Sequence, residues 1–90
     1  MKQSILIRVE PEHFQQWRSA HDECEEARRE YGITDGPFYF DEKEGKHVLV
    51  HLNVEDMDRA KGWFRDPRFK AAAVRAGNVS RQVWLASAKA

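Results

Sequence analysis

The chain of 90 residues contains little cysteine, no surplus of charge and no long apolar run. Its single cysteine cannot form an internal disulfide, so the fold does not depend on an oxidising compartment. Fifteen basic residues balance fifteen acidic ones, which argues against nucleic acid as a partner. Since the apolar runs reach only three or four residues, we expect no membrane span and no signal peptide. Together these features predict a soluble, cytoplasmic protein.

The sequence also lacks the short motifs that mark several enzyme classes. It has no glycine-rich phosphate loop, no serine elbow and no dinucleotide fingerprint. The four histidines and the lone cysteine show no zinc-binding spacing. His47 and His51 share a predicted strand face, but they lie roughly 13 Å apart along the strand, which is unsuited to one metal ion. We therefore expect no metal and no cofactor.

Apolar residues are abundant enough to build one folded domain. They make up 41% of the chain, and aromatic residues make up 11%. A second domain would have too little chain for its own core, so residues 1–90 are predicted to form a single domain. A domain of this size buries only about 60–65% of its unfolded surface. Dimerisation would therefore be a natural source of further burial.

Two helical patterns alternate with short β-prone runs. Larger side chains at positions 14, 17, 21, 24, 28 and 31 predict a helix over residues 12–31, with Pro11 at its start and Gly32 at its end. A second pattern starts at Asp56 and is interrupted at Pro67, where Asp66 is the expected cap of a new helix. The predicted strands are 4–9, 38–40, 47–52 and 79–86, with a turn at 34–37 and a solvated loop at 41–46.

This order, β-α-β-β-α-β, predicts an α+β fold of the ferredoxin-like type. Such a plait is a four-stranded antiparallel sheet with both helices on one face. Alternation along the strands gives one purely aliphatic face, which includes Ile5 and Ile7, and one mixed face, which includes Leu6, Leu49 and Trp84. Because the helices cover only one face, the mixed face is expected to meet a second copy of the chain. We therefore predict a homodimer.

Two histidines and the cysteine are candidates for acid–base or nucleophilic chemistry. His21 lies on the helical stripe and can be a general acid or base, or a satisfied histidine at the edge of the core. His51 lies centrally in its strand and can line either a pocket or the dimer interface. Cys24 is three residues from His21, but no oxyanion donor is evident, which favours a small buried hydrophobe. The charge run over residues 25–30 is expected to be solvated surface.

The aromatic residues suggest a binding cavity. Trp17, Trp63 and Tyr39 can form the walls of a cavity for a planar apolar ligand, with Arg8 or a histidine fixing its orientation. The alternative is that these aromatic side chains are simply core. The sequence leaves both interpretations open.

Three stretches resemble the dimeric α/β-barrel superfamily. They are 14–22 (Phe-Gln-Gln-Trp-Arg-Ser-Ala-His-Asp), the strand-to-helix passage 48–61, and 66–77, which leads into the last strand. Within the superfamily, the chain is similar to small proteins of the antibiotic-biosynthesis-monooxygenase type, some of them described as candidate cyclases. The resemblance implies two subunits whose sheets face each other as a barrel, each with a pocket between helices and sheet. Relatives of this type include cofactor-independent oxygenases, which tend to use an asparagine and a tryptophan near the pocket; Asn53 and Trp63 match by residue type.

The resemblance and the residues together predict a homodimeric α/β barrel that binds a small aromatic or polyketide-like molecule. Its activity would be cofactor-independent oxygenation, cyclisation or isomerisation, with His21, His51 or both as the acid or base. The alternative is a non-catalytic small-molecule-binding or assembly protein of the same fold. Haem handling is a third option, but the second helix offers no histidine after Trp63 as an iron ligand.

Overall fold

A computed structural model describes residues 2–42 and 46–88 of the chain. Within these residues, four antiparallel strands form one sheet, and the helices pack on one of its faces. Residues 43–45 of the predicted solvated loop lie outside the described residues. The elements are β1 (Gln3–Pro11), α1 (Phe14–Glu23), α2 (Glu25–Glu30), β2 (Ile33–Phe40), β3 (Val48–Val54), α3 (Met57–Lys61), a 3-10 turn (Gly62–Arg65), α4 (Pro67–Arg75) and β4 (Val79–Ser87).

The strand order is β2-β3-β1-β4, so β1 and β3 are central and β2 and β4 are the edges. All three neighbouring pairs are antiparallel, and β2 and β3 form the predicted hairpin. β1 pairs along its whole length with β4, from Gln3 opposite Ser87 to Pro11 opposite Val79. This arrangement confirms the ferredoxin-like fold.

The start of the first helix differs from the prediction. Pro11 is the last residue of β1, and α1 begins only at Phe14. The pairing of β1 with β3 ends at Val9, so the missing N–H of Pro11 costs the sheet no bond on that side. Glu12 then donates its N–H to the carbonyl oxygen of Asn78 at 2.9 Å, which holds the chain beside β4 before the helix starts.

The first helical pattern is divided at Cys24. α1 ends at Glu23 and α2 begins at Glu25, because the N–H of Cys24 bonds the carbonyl of His21, three residues back, at 3.2 Å. Such a tighter bond closes a helix turn in the 3-10 manner. Three residues of the predicted stripe, Trp17, Cys24 and Arg28, are buried, and so are the neighbouring Ala20 and Ala27.

The predicted turn at residues 34–37 is wrong, because these residues belong to β2. The pairing with β3 shifts between Asp35 and Phe38, as in a β-bulge, and Pro37 is tolerated there because β2 is an edge strand. A Cβ added to Gly36 would lie 2.7 Å from the carbonyl oxygen of His51. Gly36 therefore allows the two backbones to approach closely at the bulge.

The second helical pattern is divided as the sequence predicts. α3 is followed by the 3-10 turn, and α4 begins at Pro67 with Asp66 as its cap. Oδ1 of Asp66 accepts a hydrogen bond from the backbone N–H of Arg68 at 2.7 Å. Gly77, with φ +81°, ends α4 in the left-handed region.

The core lies between the sheet and the helices. The aliphatic side chains of β1 and β3 that face the helices are almost fully buried, Ile5 at 0% and Leu52 at 1% exposure. Val83 and Leu85 of β4 face the same way but stay 45% and 48% exposed. The helices therefore leave the β4 side of the core open.

Candidate functional site

A cavity of about 90 Å3 lies between the helices and the sheet. Its floor is formed by aliphatic residues of β1 and β3, and its roof by aromatic residues and alanines of the helices. The lining extends to Arg81 and Val83 on β4, where the helices leave the core uncovered. An enclosed apolar cavity of about 150 Å3 holds one benzene ring. A larger planar molecule would therefore extend from this cavity toward the β4 edge.

His21 lies on the wall of the cavity, sandwiched by aromatic rings. Its ring stacks on Trp17 at a centroid distance of 5.2 Å and meets the ring of Phe38 edge-on at 5.3 Å. Nε2 is buried and has no hydrogen-bond partner within residues 2–42 and 46–88. Burial, together with the positive charge of Arg28, lowers the pKa of His21 from 6.5 to about 4. The imidazole is therefore neutral at pH 7.

Arg28 is a buried residue that forms a hydrogen bond to the backbone of His21. Its burial corrects the prediction that residues 25–30 are entirely solvated. The residue is only 2% exposed. Its Nε and Nη2 donate to the two carboxylate oxygens of Asp35 at 2.9 and 2.8 Å, and Nη1 donates to the carbonyl oxygen of His21 at 2.8 Å. This two-point pairing neutralises the buried charge and ties α1, α2 and β2 together.

The sequence contained a signal for the burial of Arg28. Position 28 falls on the apolar stripe of the first helical pattern, where a charged residue is out of place unless it is paired. Its partner comes from β2, within the segment that the sequence predicted to be a turn. The pairing was therefore not evident without the position of that strand.

Trp17 and Trp63 both line the cavity. They are 4% and 3% exposed. The ring of Trp63 packs between Tyr31 at 6.0 Å and Phe69 at 5.6 Å. A Cβ at Gly62 would lie 2.8 Å from Tyr31, so this glycine lets the tyrosine ring pack against the 3-10 turn. The structure thus brings together His21 and both tryptophans.

Cys24 also lines the cavity, and within residues 2–42 and 46–88 it makes no contact typical of a nucleophile. It is 4% exposed, and its Sγ lies 4.0 Å from the carbonyl oxygen of Arg68. This position agrees with a small buried hydrophobe.

The four other candidate residues lie on the opposite face of the sheet and do not line this cavity. The register places them beside Leu6 and Leu49, whose side chains point away from the helices. The sequence predicted that Tyr39 would form a wall of the helix–sheet cavity and that Arg8 would orient its ligand. Their position on the open face of the sheet corrects both predictions. These residues are Arg8, Tyr39, His51 and Asn53.

Two polar groups occupy this open face between the apolar side chains. Nε2 of His51 lies 3.0 Å from the hydroxyl of Ser4 on the neighbouring strand. Nη2 of Arg8 lies 2.9 Å from Nε2 of His47, which in turn lies 3.1 Å from a carboxylate oxygen of Glu10. These polar side chains therefore find partners within the sheet itself.

Four large apolar side chains share the open face and remain about half exposed. They neighbour one another across the strands, with Leu49 opposite Tyr39 and Leu6 opposite Trp84. We call this group the sheet-face patch: Leu6 at 41%, Leu49 at 47%, Trp84 at 48% and Tyr39 at 55% exposure. A patch of this kind on a sheet is typical of a surface that meets another molecule.

Neither a metal cluster nor a membrane helix is found in the part of the chain that the structure describes. Residues 2–42 and 46–88 hold no group of three or more histidine, cysteine or acidic residues that could bind a metal ion. None of their helices has the length and apolar character needed to cross a bilayer.

Comparison with known proteins gives matches in structure alone. No protein-family model matches the chain, and no curated protein matches it in sequence. Among solved structures, SnoaB, a cofactor-independent oxygenase from Streptomyces nogalater, is similar with a TM-score of 0.82 at 11% identity, over 99% of this chain and 94% of that one. Rv0793 from Mycobacterium tuberculosis is similar with a TM-score of 0.65 at 13% identity, over 100% and 99% of the two chains.

A further structure, described as an antibiotic biosynthesis monooxygenase, is similar with a TM-score of 0.64 at 13% identity. It is matched over 97% of this chain and 99% of that one. Identities this low show the fold and leave the chemistry to the site itself. The resemblance inferred from the sequence is thus confirmed at the level of architecture: the chain has the ferredoxin-like fold of antibiotic-biosynthesis-monooxygenase-like proteins.

Proposed function

We propose that the chain forms a homodimeric α/β barrel that binds a small aromatic or polyketide-like molecule in the helix–sheet cavity. His21 acts there as a general base in a cofactor-independent oxygenation; cyclisation and isomerisation need the same proton removal. Trp17 and Trp63 form walls against which a planar ligand can pack. The observation that carries the proposal is the buried Nε2 of His21, which has no hydrogen-bond partner within residues 2–42 and 46–88 and lies on a mostly apolar cavity wall.

The protonation state of His21 suits this role. Because its pKa is lowered to about 4, the imidazole is neutral at pH 7 and its nitrogen is free to accept a proton, although it is a weak base before the substrate binds. An enolate or carbanion formed beside the ring favours the imidazolium, since opposite charges attract strongly in a desolvated site. The substrate anion can then pass electrons to O2. Oxidation of an activated CH2 to a carbonyl by O2 releases one water molecule, so no external reductant is required.

The sheet-face patch supports the dimer. Fully burying a large apolar side chain stabilises by about 1.5–3 kcal/mol, so covering the exposed half of four such side chains contributes on the order of 4 kcal/mol per subunit. That is a large share of the stability of a small domain. Tyr39, Arg8, His51 and Asn53 would then lie at or near the interface between the two sheets, where His51 could serve a ligand held between subunits.

A non-catalytic binding or assembly protein is the second candidate. It is favoured by the composition of the cavity wall: among the residues that the structure describes, His21 is the only histidine in the lining and no carboxylate is present there. Such a protein would keep the cavity and the dimer and would bind its ligand without turnover. Haem handling is disfavoured because residues 57–75 of the second helical segment contain no histidine that could be an iron ligand. A haemin titration without a Soret shift would remove it.

The test uses dithranol, a planar hydroxylated anthrone, as the probe substrate. Oxygen uptake is measured with the wild-type protein, with His21→Ala and with His13→Ala. His13 is the matched control because its side chain is 70% exposed and does not line the cavity. We expect His21→Ala to lower kcat at least about 100-fold, the usual contribution of a general base. The His13 variant should match the wild type.

The opposite results separate the candidates. If His21→Ala turns over dithranol at the wild-type rate, His21 is not the base. If His51→Ala alone abolishes turnover, the chemistry lies on the open sheet face instead. Wild-type protein that binds dithranol in the cavity without consuming oxygen would favour the binding protein.

A further inference from the structure

Arg81 is a charged residue at the mouth of a mostly apolar cavity. It lies on the edge strand β4 opposite Val9, a residue whose side chain is buried under the helices. Side chains directly opposite each other in an antiparallel pair share a face, so Arg81 also points to the helix side. Arg81 lines the cavity together with Val83 and is half-buried.

The charge of Arg81 has no protein partner in the described part of the chain. No carboxylate within residues 2–42 and 46–88 forms an ion pair with it, whereas Arg28 on the same cavity is paired with Asp35. Burial lowers the pKa of the Arg81 guanidinium, and no neighbouring acid opposes this shift. The group nonetheless stays charged, since arginine does not lose its proton in proteins. A bound anion would stabilise a half-buried cation that has no counter-ion.

We propose that Arg81 binds a carboxylate on the ligand, so that the molecule recognised in the helix–sheet cavity is a planar aromatic acid. This inference rests on the proposed function and narrows its ligand class. The aromatic body enters the cavity between Ile7 and Phe69, and the carboxylate stays at the β4 edge. The flat fork of the guanidinium matches the two oxygens of a carboxylate.

The size of the cavity agrees with this placement. A volume of about 90 Å3 accommodates only part of a fused ring system, so the rest of the ligand must extend to the mouth. Val83, which is 45% exposed, offers apolar surface there beside the guanidinium. A ligand with one apolar end and one anionic end fits this cavity, because its interior is apolar and its mouth carries the guanidinium of Arg81.

The test compares 2-naphthoate with its neutral isostere 2-naphthamide. Dissociation constants are measured by following backbone amide resonances in two-dimensional NMR, which also locates the bound probe. The variants are Arg81→Gln, which removes the charge, and Arg81→Lys, which keeps it. Arg65→Gln is the matched control, because Arg65 is exposed on the 3-10 turn, does not line the cavity and changes the net charge equally.

We expect the wild type to bind 2-naphthoate about tenfold more tightly than 2-naphthamide, as for one charge-assisted hydrogen-bonded pair. Arg81→Gln should abolish this preference, Arg81→Lys should keep part of it, and Arg65→Gln should leave it intact. The preference should weaken at high salt, since the guanidinium is partly exposed. Spectra of each variant confirm that it is folded.

Three results would overturn the inference; two of them leave the proposed binding cavity intact and the third removes it as well. If both probes shift cavity resonances with equal affinity, or if Arg81→Gln keeps the preference, Arg81 does not hold a carboxylate, but ligand binding in the cavity stands. If neither probe shifts a cavity resonance, the ligand-binding cavity of the proposed function fails together with this inference.

Discussion

Replacing Asp35 by alanine should destabilise the protein through the charge that it leaves behind. Arg28 would keep its buried position, with its side chain 3% exposed, but lose both hydrogen bonds to the carboxylate. Removing one partner of a buried ion pair costs about 3–5 kcal/mol. The side chain of Asp35 is 27% exposed, so water can partly replace it, and we expect the lower end, about 3 kcal/mol.

The assay is urea unfolding followed by circular dichroism at one fixed protein concentration, because dimerisation would shift the midpoint. For a slope of about 1–3 kcal/mol per molar urea, the midpoint should fall by on the order of 2 M. Asp22→Ala is the matched control. The Asp22–Arg18 pair has side chains that are 55% and 45% exposed, and such pairs contribute less than about 1 kcal/mol.

A second variant separates the lost charge pair from lost packing. Replacing both partners, Arg28→Met with Asp35→Leu, should recover most of the stability, because apolar residues of similar volume need no counter-ion. If Asp35→Ala costs no more than Asp22→Ala, the Arg28 guanidinium reaches water in solution. The buried pair described for the site would then be wrong.

Three further predictions test the bulge, the cavity histidine and the dimer. Gly36→Ala should lower the free energy of unfolding by about 1–3 kcal/mol, because its Cβ would lie 2.7 Å from the His51 carbonyl; an unchanged urea midpoint would contradict this. The pKa of His21 is about 4 when folded and 6.5 when unfolded, so its contribution to stability is complete above pH 6.5 and is lost as the pH falls toward 4. The free energy of unfolding is therefore measured at pH 7 and at pH 4. Between these pH values His21→Phe should lose about 3 kcal/mol less of it than the wild type, and equal losses would contradict the lowered pKa of His21. Leu49→Lys should convert the dimer to a monomer in analytical ultracentrifugation, whereas Val74→Lys, at an 81% exposed position on α4, should not; a monomeric wild type would refute the role of the sheet-face patch.

The strand faces and the second helix could be predicted from the sequence because their signals are local. Alternation along β1 and β3 places Ile5 and Leu52 under the helices and Leu6 and Leu49 on the open face, as observed. The Asp66-Pro67 pair marks the start of α4 because a cap and a proline each act within one turn.

The composition of the cavity wall depends on contacts between separate helices and strands: His21, Trp17 and Trp63 line it, but Tyr39 and Arg8 do not, and Arg28 and Arg81 were not predicted there. The face on which Tyr39 lies is decided by the bulge between Asp35 and Phe38, and a bulge reverses the alternation that a sequence pattern assumes. Arg28 is buried because Asp35 reaches it from β2. Arg81 lies at the cavity mouth because β4 pairs with β1 rather than with the strand before it in sequence.

The pairing of β1 with β4 also determines when the fold can be completed during synthesis. The first and last strands are direct neighbours, with the N–H of Ala88 bonded to the carbonyl oxygen of Lys2 at 2.8 Å. The β2–β3 hairpin can form as soon as it leaves the ribosome, but β1 has no partner on its β4 side until the end of the domain has been made. Contacts this far apart in sequence are slow to form. The nascent chain should therefore keep the future cavity open to solvent until translation of the domain is nearly complete.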